Sequence, residues 1–259
     1  MREWICGRNA VYETLRAGRR QGFRLLAAEG AQEKGRLAEI LALARKKNIT
    51  VERVARQRLD GLAGGAGGAG GHQGVALEAS GYPYSALPDI LQAASRRGEA
   101  PFVLILDTLQ DPQNLGTLLR TGEAVGVHGA LLPLRRTATV TPAVVNASAG
   151  ASEHLLVAQA NLAQAIETLK KAGVWVVGLE SEPPAQDLEE VRLDGPLALV
   201  VGNEGEGMRP LVRDSCDVLA RIPMRGQVAS LNAAVAGSIA LYLAWRRRSR
   251  EHYSQSPGT

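Results

Sequence analysis

The chain has 259 residues, of which 45% are hydrophobic, and carries a formal charge of +4. That length accommodates two domains with packed cores, and the mild basic excess permits an anionic partner without requiring one. Cys6 and Cys216 are too far apart for a CxxC motif and too few for a disulfide framework, so reduced thiols are expected.

The N-terminus, MREWICGRNAVYETLRAGRR, lacks the apolar core of a signal peptide. No run reaches the roughly 18 apolar residues of a membrane span, so a soluble cytoplasmic protein with no membrane partner is expected. A helix from Asn9 ends at Gly18, a residue type suited to the left-handed position after a helix. A strand at Phe23 to Ala27 follows, then a helix from Gln32 to Lys47, a strand at Ile49 to Val54, a short helix at Arg56 to Leu62 and a strand at Gly74 to Ala79. These make a small αβαβαβ domain over residues 1–80. The glycine run Gly61 to Gly74 reads as a loop inside it, because strand-like VALEA follows at once.

Residues 81–100 form the linker, with two prolines in YPYSALP and a solvent-facing helix in DILQAASRRGEA. From residue 101 to 259 the pattern changes. Short apolar runs at Phe102 to Asp107, Ala130 to Leu134, His154 to Val157, Val174 to Leu179, Leu197 to Val201 and Val218 to Ile222 alternate with helical segments, which predicts a mainly parallel α/β sheet. Thr141-Pro142 is an N-cap followed by proline at the first helical position. Asn161 caps a helix that closes with Lys170, Lys171 and Gly173.

Three segments leave the carboxyl ends of predicted strands, where ligands bind in open α/β sheets. Asp111-Pro112-Gln113-Asn114 follows the first strand, with Asn114 expected to cap a helix that carries Arg120. Gly202 to Gly207 follows Leu197 to Val201. Its glycines let main-chain groups approach a ligand, and Glu204 is its strong acceptor while Glu206 reads as solvated. Pro223 to Val228 leads into a helix for which Ser230 is the expected cap, with Asn232 in the first turn.

These segments, LDTLQDPQNLGTLLRTGEAVGV, GNEGEGM and IPMRGQVASLN, resemble the three motifs of the SpoU (TrmH) family of RNA ribose 2'-O-methyltransferases, in family order across residues 102–245. GRNAVYETLRAG and HQGVALEA resemble the accessory domain of members that modify a guanosine of 23S rRNA. The resemblance implies an α/β SPOUT fold with a deep trefoil knot, and a ribosomal-protein-like N-terminal domain that binds RNA. It implies S-adenosylmethionine as cofactor, no metal, and a homodimer through the catalytic domain. It places Asn114, Arg120, Glu204, Ser230 and Asn232 in catalysis, and puts the cofactor against Gly202, Ile222 and Leu231 with Met224 close by. Three departures stand out: Asn203 occupies a position where a smaller residue is usual, Ala233-Ala234 replaces a more common Val-Ser after SLN, and the glycine loop Gly61 to Gly74 is unusually long.

The family assigns Arg120 to activating the ribose 2'-hydroxyl. A guanidinium with a pKa above about 12 is a poor general base, so charge stabilisation is the milder role. His72, His128, His154 and His252 show no metal-ligand spacing. Arg246, Arg247, Arg248 and Arg250 read equally as a solvated helix end or as RNA contacts. The same chemistry on tRNA or on an rRNA adenosine is one alternative, and a non-catalytic RNA-binding protein of the same fold is another. Small residues Ala233, Ala234, Ala236, Gly237, Ala240 and Ala244 on an otherwise apolar helix are expected to admit a partner's backbone.

Overall fold

The computed structural model describes residues 2–65, 71–227 and 230–254, with side chains described for 2–62, 71–227 and 230–249. In chain order the first elements are β1 (Arg2–Cys6), α1 (Arg8–Ala17), β2 (Gly22–Ala28), α2 (Arg36–Lys46), β3 (Thr50–Val54), α3 (Arg56–Gly65), β4 (Val75–Ser80) and α4 (Leu87–Arg97). Then come β5 (Phe102–Leu106), α5 (Pro112–Ala124), β6 (Gly129–Pro133), α6 (Pro142–Ala147) and a single 3-10 turn at Ala151–Glu153. The remainder is β7 (Leu156–Ala160), α7 (Leu162–Lys171), β8 (Trp175–Leu179), β9 (Gln186–Asp187), β10 (Leu197–Val201), α8 (Pro210–Ser215), β11 (Val218–Arg221) and α9 (Ala233–Ser254).

The chain divides into two units, residues 1–83 with 139–154, and residues 84–138 with 155–259. The first holds a sheet of order β1-β4-β2-β3, antiparallel except for the β2–β3 pair. On α2, Leu37, Ile40, Leu41 and Ala44 recur at helical spacing and are all buried. Gly18 ends α1 at φ 64, as its residue type predicts. Strand β1 has no sequence forecast; it is a short edge strand paired only with β4. The glycine run begins as helix, since α3 reaches Gly65, and residues 66–70 of the predicted loop lie outside the described residues.

Segment 139–154, which the sequence assigned to the C-terminal region, is held in the first unit by a buried ion cluster. Arg20 has no exposed side-chain surface and binds Glu153, equally buried, at 2.9 Å and Glu3 at 2.7 Å. It also donates to the Ser80 carbonyl at 3.1 Å. Such a cluster is tolerated only when every charge is met, because each ion gives up its hydration. Tyr82 donates to the Ser152 carbonyl at 2.9 Å, and burial pushes its phenol up to about 12.

The second unit is a seven-stranded, wholly parallel sheet of order β7-β6-β5-β10-β8-β11-β9. Alternation along the strands sends Val103, Ile105, Ala198 and Val200 into a core with α4, α7 and α8. Leu104 and Val201 face the other way, toward α5 and α9. The strand expected at His154 to Val157 lies two residues later, because the 3-10 turn consumes the start of that run. Strand β10 sits between β5 and β8, so the loops after β5, β8, β10 and β11 meet at one end of the sheet, where the strand order reverses.

Candidate active site

The loop after β5 is fixed by its backbone. Thr108 has φ 57, a rare conformation for a β-branched residue. Its carbonyl accepts from Asn203 Nδ2 at 3.0 Å, so the side chain that departs from the family pattern bridges two of the loops. Asp107, fully buried, accepts from Arg209 N at 2.8 Å and faces the Arg209 guanidinium at 2.7 Å. These contacts seat the glycine loop on the end of β5.

Helix α5 starts earlier than the sequence suggested. Asp111, not Asn114, is its cap: the Gln113 N–H donates to the Asp111 carboxylate at 3.0 Å, with Pro112 at the first helical position. The physical reason is the Asp-Pro pair, the same signature as Thr141-Pro142. Asn114 therefore lies within the first turn, with its side chain available for other contacts. Arg120 falls on the third turn and is exposed, without a hydrogen bond or ion pair to any described residue.

The glycine loop closes on itself. Asn203 and Gly207 exchange backbone hydrogen bonds at 2.9 Å in both directions, and Gly207 has φ 67. A Cβ on Gly202 would lie 2.4 Å from the Gly207 carbonyl carbon and 2.5 Å from Met208 N, so only glycine fits there. Asn203 Oδ1 accepts from Gly205 N at 2.8 Å, which holds the loop tip and presents Glu204 to solvent.

Three predicted residues meet at that tip. Glu204 Oε1 accepts from both Asn114 Nδ2 and Asn232 Nδ2, and Asn232 Nδ2 also donates to Asn114 Oδ1 at 3.1 Å. Asn232 is the cap of α9, because its Oδ1 accepts from Ala234 N at 2.9 Å and Val235 N at 3.1 Å. Ser230, the expected cap, is instead an exposed loop residue two positions before it. Capping fixes the Asn232 amide and aims its Nδ2 at Glu204, so helix start and polar cluster are one construction.

A cavity of about 510 Å³ opens beside this cluster. Gly202, Glu204, Ile222, Met224, Ser230 and Leu231 line it, together with Leu179, Glu180 and Arg213. Its size lies in the range of small-molecule sites. Asn114 reaches it through Glu204, and Arg120 is not among its lining residues. Glu180 escaped the sequence reading; it directly follows β8, accepts from Ser181 N at 2.9 Å and lies 3.9 Å from the Arg213 guanidinium. An acidic residue directly after a buried strand was the available signal.

Burial pushes the Cys216 thiol up to about 12 and Cys6 up to about 11, so neither is a thiolate nucleophile at neutral pH. Among the described residues, no group of three His, Cys, Asp or Glu side chains could hold a metal ion. His72 binds Asp60, His128 binds Glu99 and His154 binds Glu13, while the His252 side chain lies outside the described ones. No helix among the described residues is long and apolar enough to cross a membrane.

Comparison with known proteins agrees with this geometry. The model of the SpoU rRNA Methylase family matches residues 101–242, and that for RNA 2'-O ribose methyltransferase substrate binding matches residues 4–85. A protein of Bacillus subtilis (strain 168), YacO, named for the TrmH family of tRNA/rRNA methyltransferases, is 42% identical over 248 residues, covering 95% of this chain and 96% of its own. The SpoU methyltransferase AviRb from Streptomyces viridochromogenes, solved with the cofactor AdoMet, superimposes with a TM-score of 0.77 at 23% identity, over 96% of this chain and 91% of that one. The AdoMet-bound rRNA methyltransferase from Sinorhizobium meliloti does so with a TM-score of 0.75 at 25% identity, over 95% and 87%. The two family matches, with the parallel α/β unit and the substrate-binding domain they cover, make the chain one of the RNA methyltransferases. The chain belongs to the SpoU rRNA methylase family.

Proposed function

We propose that the protein is an S-adenosylmethionine-dependent RNA ribose 2'-O-methyltransferase whose target is a guanosine of 23S rRNA. The observation that carries this reading is the convergence of Asn114, Glu204 and Asn232 at the mouth of the cavity that Gly202, Ile222, Met224 and Leu231 line. The AdoMet bound to the Sinorhizobium meliloti enzyme, and the RNA 2'-O ribose methyltransferase description of the domain matching residues 4–85, support the cofactor and the reaction.

The residues present fit that cofactor. The missing side chain of Gly202 lets the loop fold back on Gly207 and Met208 and so shapes the cavity wall, and Ile222, Leu231 and Met224 offer apolar surface. S-adenosylmethionine supplies an already activated methyl group, so the protein's task is positioning. Glu204, Asn114 and Asn232 orient the ribose and its neighbours, with Ser230 beside them. Arg120 stabilises the negative charge that develops on the 2'-oxygen as the hydroxyl proton passes to solvent water and the methyl group leaves the cofactor sulfur, a guanidinium being a charge-stabilising donor and a poor general base.

The knotted threading implied by the family belongs to the same reading. Its support is topological: β10 inserts between β5 and β8, and after β11 the chain returns as α9 to pack on α5. A homodimer through the catalytic unit belongs to it too, but by a different surface from the one the sequence suggested. The small residues Ala233, Ala234, Gly237, Ala240 and Ala244 are buried, and Gly237 meets Leu118 and Val201 of its own chain. The exposed side of α9 instead carries Val235, Ile239, Tyr242 and Trp245, at 47%, 36%, 49% and 37% exposure. Ile239→Asp is expected to convert a dimer to a monomer in sedimentation, and a native chain that sediments as an active monomer sinks the dimer.

The function is tested with the purified chain. Calorimetry should show S-adenosylmethionine binding, and chelator-treated enzyme should transfer methyl groups to an unmodified 23S rRNA transcript, leaving an alkali-resistant linkage. No binding at millimolar cofactor would end the methyltransferase reading. Transfer to tRNA instead would move the substrate while keeping the chemistry.

A further inference from the structure

The cations of this chain divide into those already spent on protein partners and those left open. In the first unit Arg24 and Arg58 face Glu52 at 3.5 and 3.9 Å, and Arg45 and Arg53 share Glu33. In the second, Arg209, Arg213 and Arg221 face Asp107, Glu180 and Asp187, and Arg247 donates to the Val191 carbonyl at 2.8 Å. Arg135 and Arg136 are different. Both are exposed, and neither has a hydrogen bond or ion pair to any described residue.

Their loop is nevertheless held firmly. Thr137 Oγ1 donates to the Leu109 carbonyl at 3.0 Å and Ala138 N donates to the same oxygen at 2.6 Å. Leu109 follows Asp107 and Thr108, which hold Arg209 and Asn203 of the glycine loop. The two arginines are thus tied to the rim of the site through one short run of backbone. Arg136 has φ 57, a conformation that costs free energy in a non-glycine residue and persists where surrounding contacts impose it. Leu134 just before them is 64% exposed, a large aliphatic side chain set in solvent beside two like charges.

We propose that residues 134–136 are an RNA-contact surface beside the active site. Arg135 and Arg136 bind backbone phosphates flanking the target nucleotide, and Leu134 packs on a neighbouring unpaired base. The inference rests on the RNA-methyltransferase reading above. It assigns local phosphate contacts to the catalytic unit itself, in addition to whatever the substrate-binding domain supplies. Guanidinium groups suit phosphate by charge and by planar donor geometry.

The test is the salt dependence of equilibrium binding to an unmodified 23S rRNA transcript, for native protein and for the Arg135→Ala/Arg136→Ala double variant. Two lost contacts to single-stranded phosphates should make the log–log slope shallower by about 1.4, which corresponds to roughly tenfold weaker binding near 0.15 M salt. Arg135→Lys/Arg136→Lys should recover most of the slope, because charge sets it, and Leu134→Ser should weaken binding with the slope unchanged. S-adenosylmethionine affinity, measured by calorimetry on each variant, should match native and so excludes misfolding. An alanine variant with native slope and native affinity overturns the proposal. Failure of the native chain to transfer methyl groups would overturn the reading of activity instead, since the slope is read from binding alone.

Discussion

The two ends of the parallel sheet use similar residues to opposite effect. At the amino end, Phe102 N donates to His128 Nδ1 at 3.0 Å, His128 Nε2 meets Glu99 at 3.0 Å, and the Arg248 guanidinium lies 4.8 Å over the Phe102 ring while donating to the Ala100 carbonyl at 2.6 Å. His128 is buried, and its exposed partner Glu99, 47% accessible, covers it from the solvent side. At the carboxyl end, Asn114, Glu204 and Asn232 also form a closed set of hydrogen bonds, yet Glu204 and Asn232 remain exposed and the cavity lies beside them. The backbone there is unusual too, with Thr108 at φ 57 and Gly202 sealed against Gly207. Both networks show a carboxylate to water, but the amino-end one is centred on a buried imidazole and lines no part of the cavity, whereas the carboxyl-end one borders it.

The largest effect should come from testing that contrast with arginine. Arg120→Ala is expected to lower kcat by about 10²–10³-fold, the size seen for a lost charge-stabilising donor, with S-adenosylmethionine affinity within about twofold of native. Arg120→Lys should fail nearly as badly, because an ammonium does not reproduce the planar fork. Arg248→Ala, at the other end, should lower the melting temperature and leave kcat near native. Equal loss of cofactor affinity in Arg120→Ala would contradict the division between ribose and cofactor residues.

Much of this contrast was legible in the sequence, because it depends on local pattern. Apolar runs such as Leu197 to Val201 marked the strands, and Asn161 and Gly18 marked helix ends. The three loops were visible because glycine and polar residues interrupt apolar runs at strand ends. Competing caps were harder to rank: Asp111 and Asn114 suit the same role, as do Ser230 and Asn232, and tertiary contacts of the amides decided both cases. Long-range pairs leave no local signature. Asp107 and Arg209 are 102 residues apart, and Arg20 and Glu153 are 133 apart. On α9 the composition showed an apolar helix without showing which face its own chain covers.

An intermediate effect is expected at Gly202. An added methyl group must displace main chain at Gly207 and Met208, not a yielding side chain. Overpacking of this kind costs roughly 1–3 kcal/mol, so Gly202→Ala should weaken S-adenosylmethionine binding by about tenfold to hundredfold if the strain falls on the loop. Gly205, whose Cβ position meets only the Asn203 side chain at 3.7 Å, is the control, and Gly205→Ala should bind nearly as native. Equal affinities for the two variants would remove the glycine loop from the cofactor site.

The smallest effect concerns the amino end alone and is read as stability against pH. Burial lowers the pKa of His128, and Arg97 and Arg248 act in the same direction against the opposing pull of Glu99. The hydrogen bonds require the same state: Nδ1 accepts from Phe102 N and so carries no proton, which leaves Nε2–H to donate to Glu99. In the unfolded chain this histidine titrates near 6.5. Below that pH the unfolded state binds the extra proton and the folded state resists it, so stability is complete above about 6.5 and declines as pH falls, by at most about 1.4 kcal/mol per unit for one group. His128→Asn keeps an acceptor for Phe102 N and has no proton to gain. Its melting temperature should therefore fall less than native between pH 7.5 and 5.5, and taking the difference between the two proteins cancels every contribution common to both. Cofactor affinity should be the same in both, since His128 lies at the far end of the sheet from the cavity. Parallel pH profiles for native and His128→Asn would mean that the amino-end network tolerates the imidazolium, and the neutral state assigned to the buried His128 would be wrong.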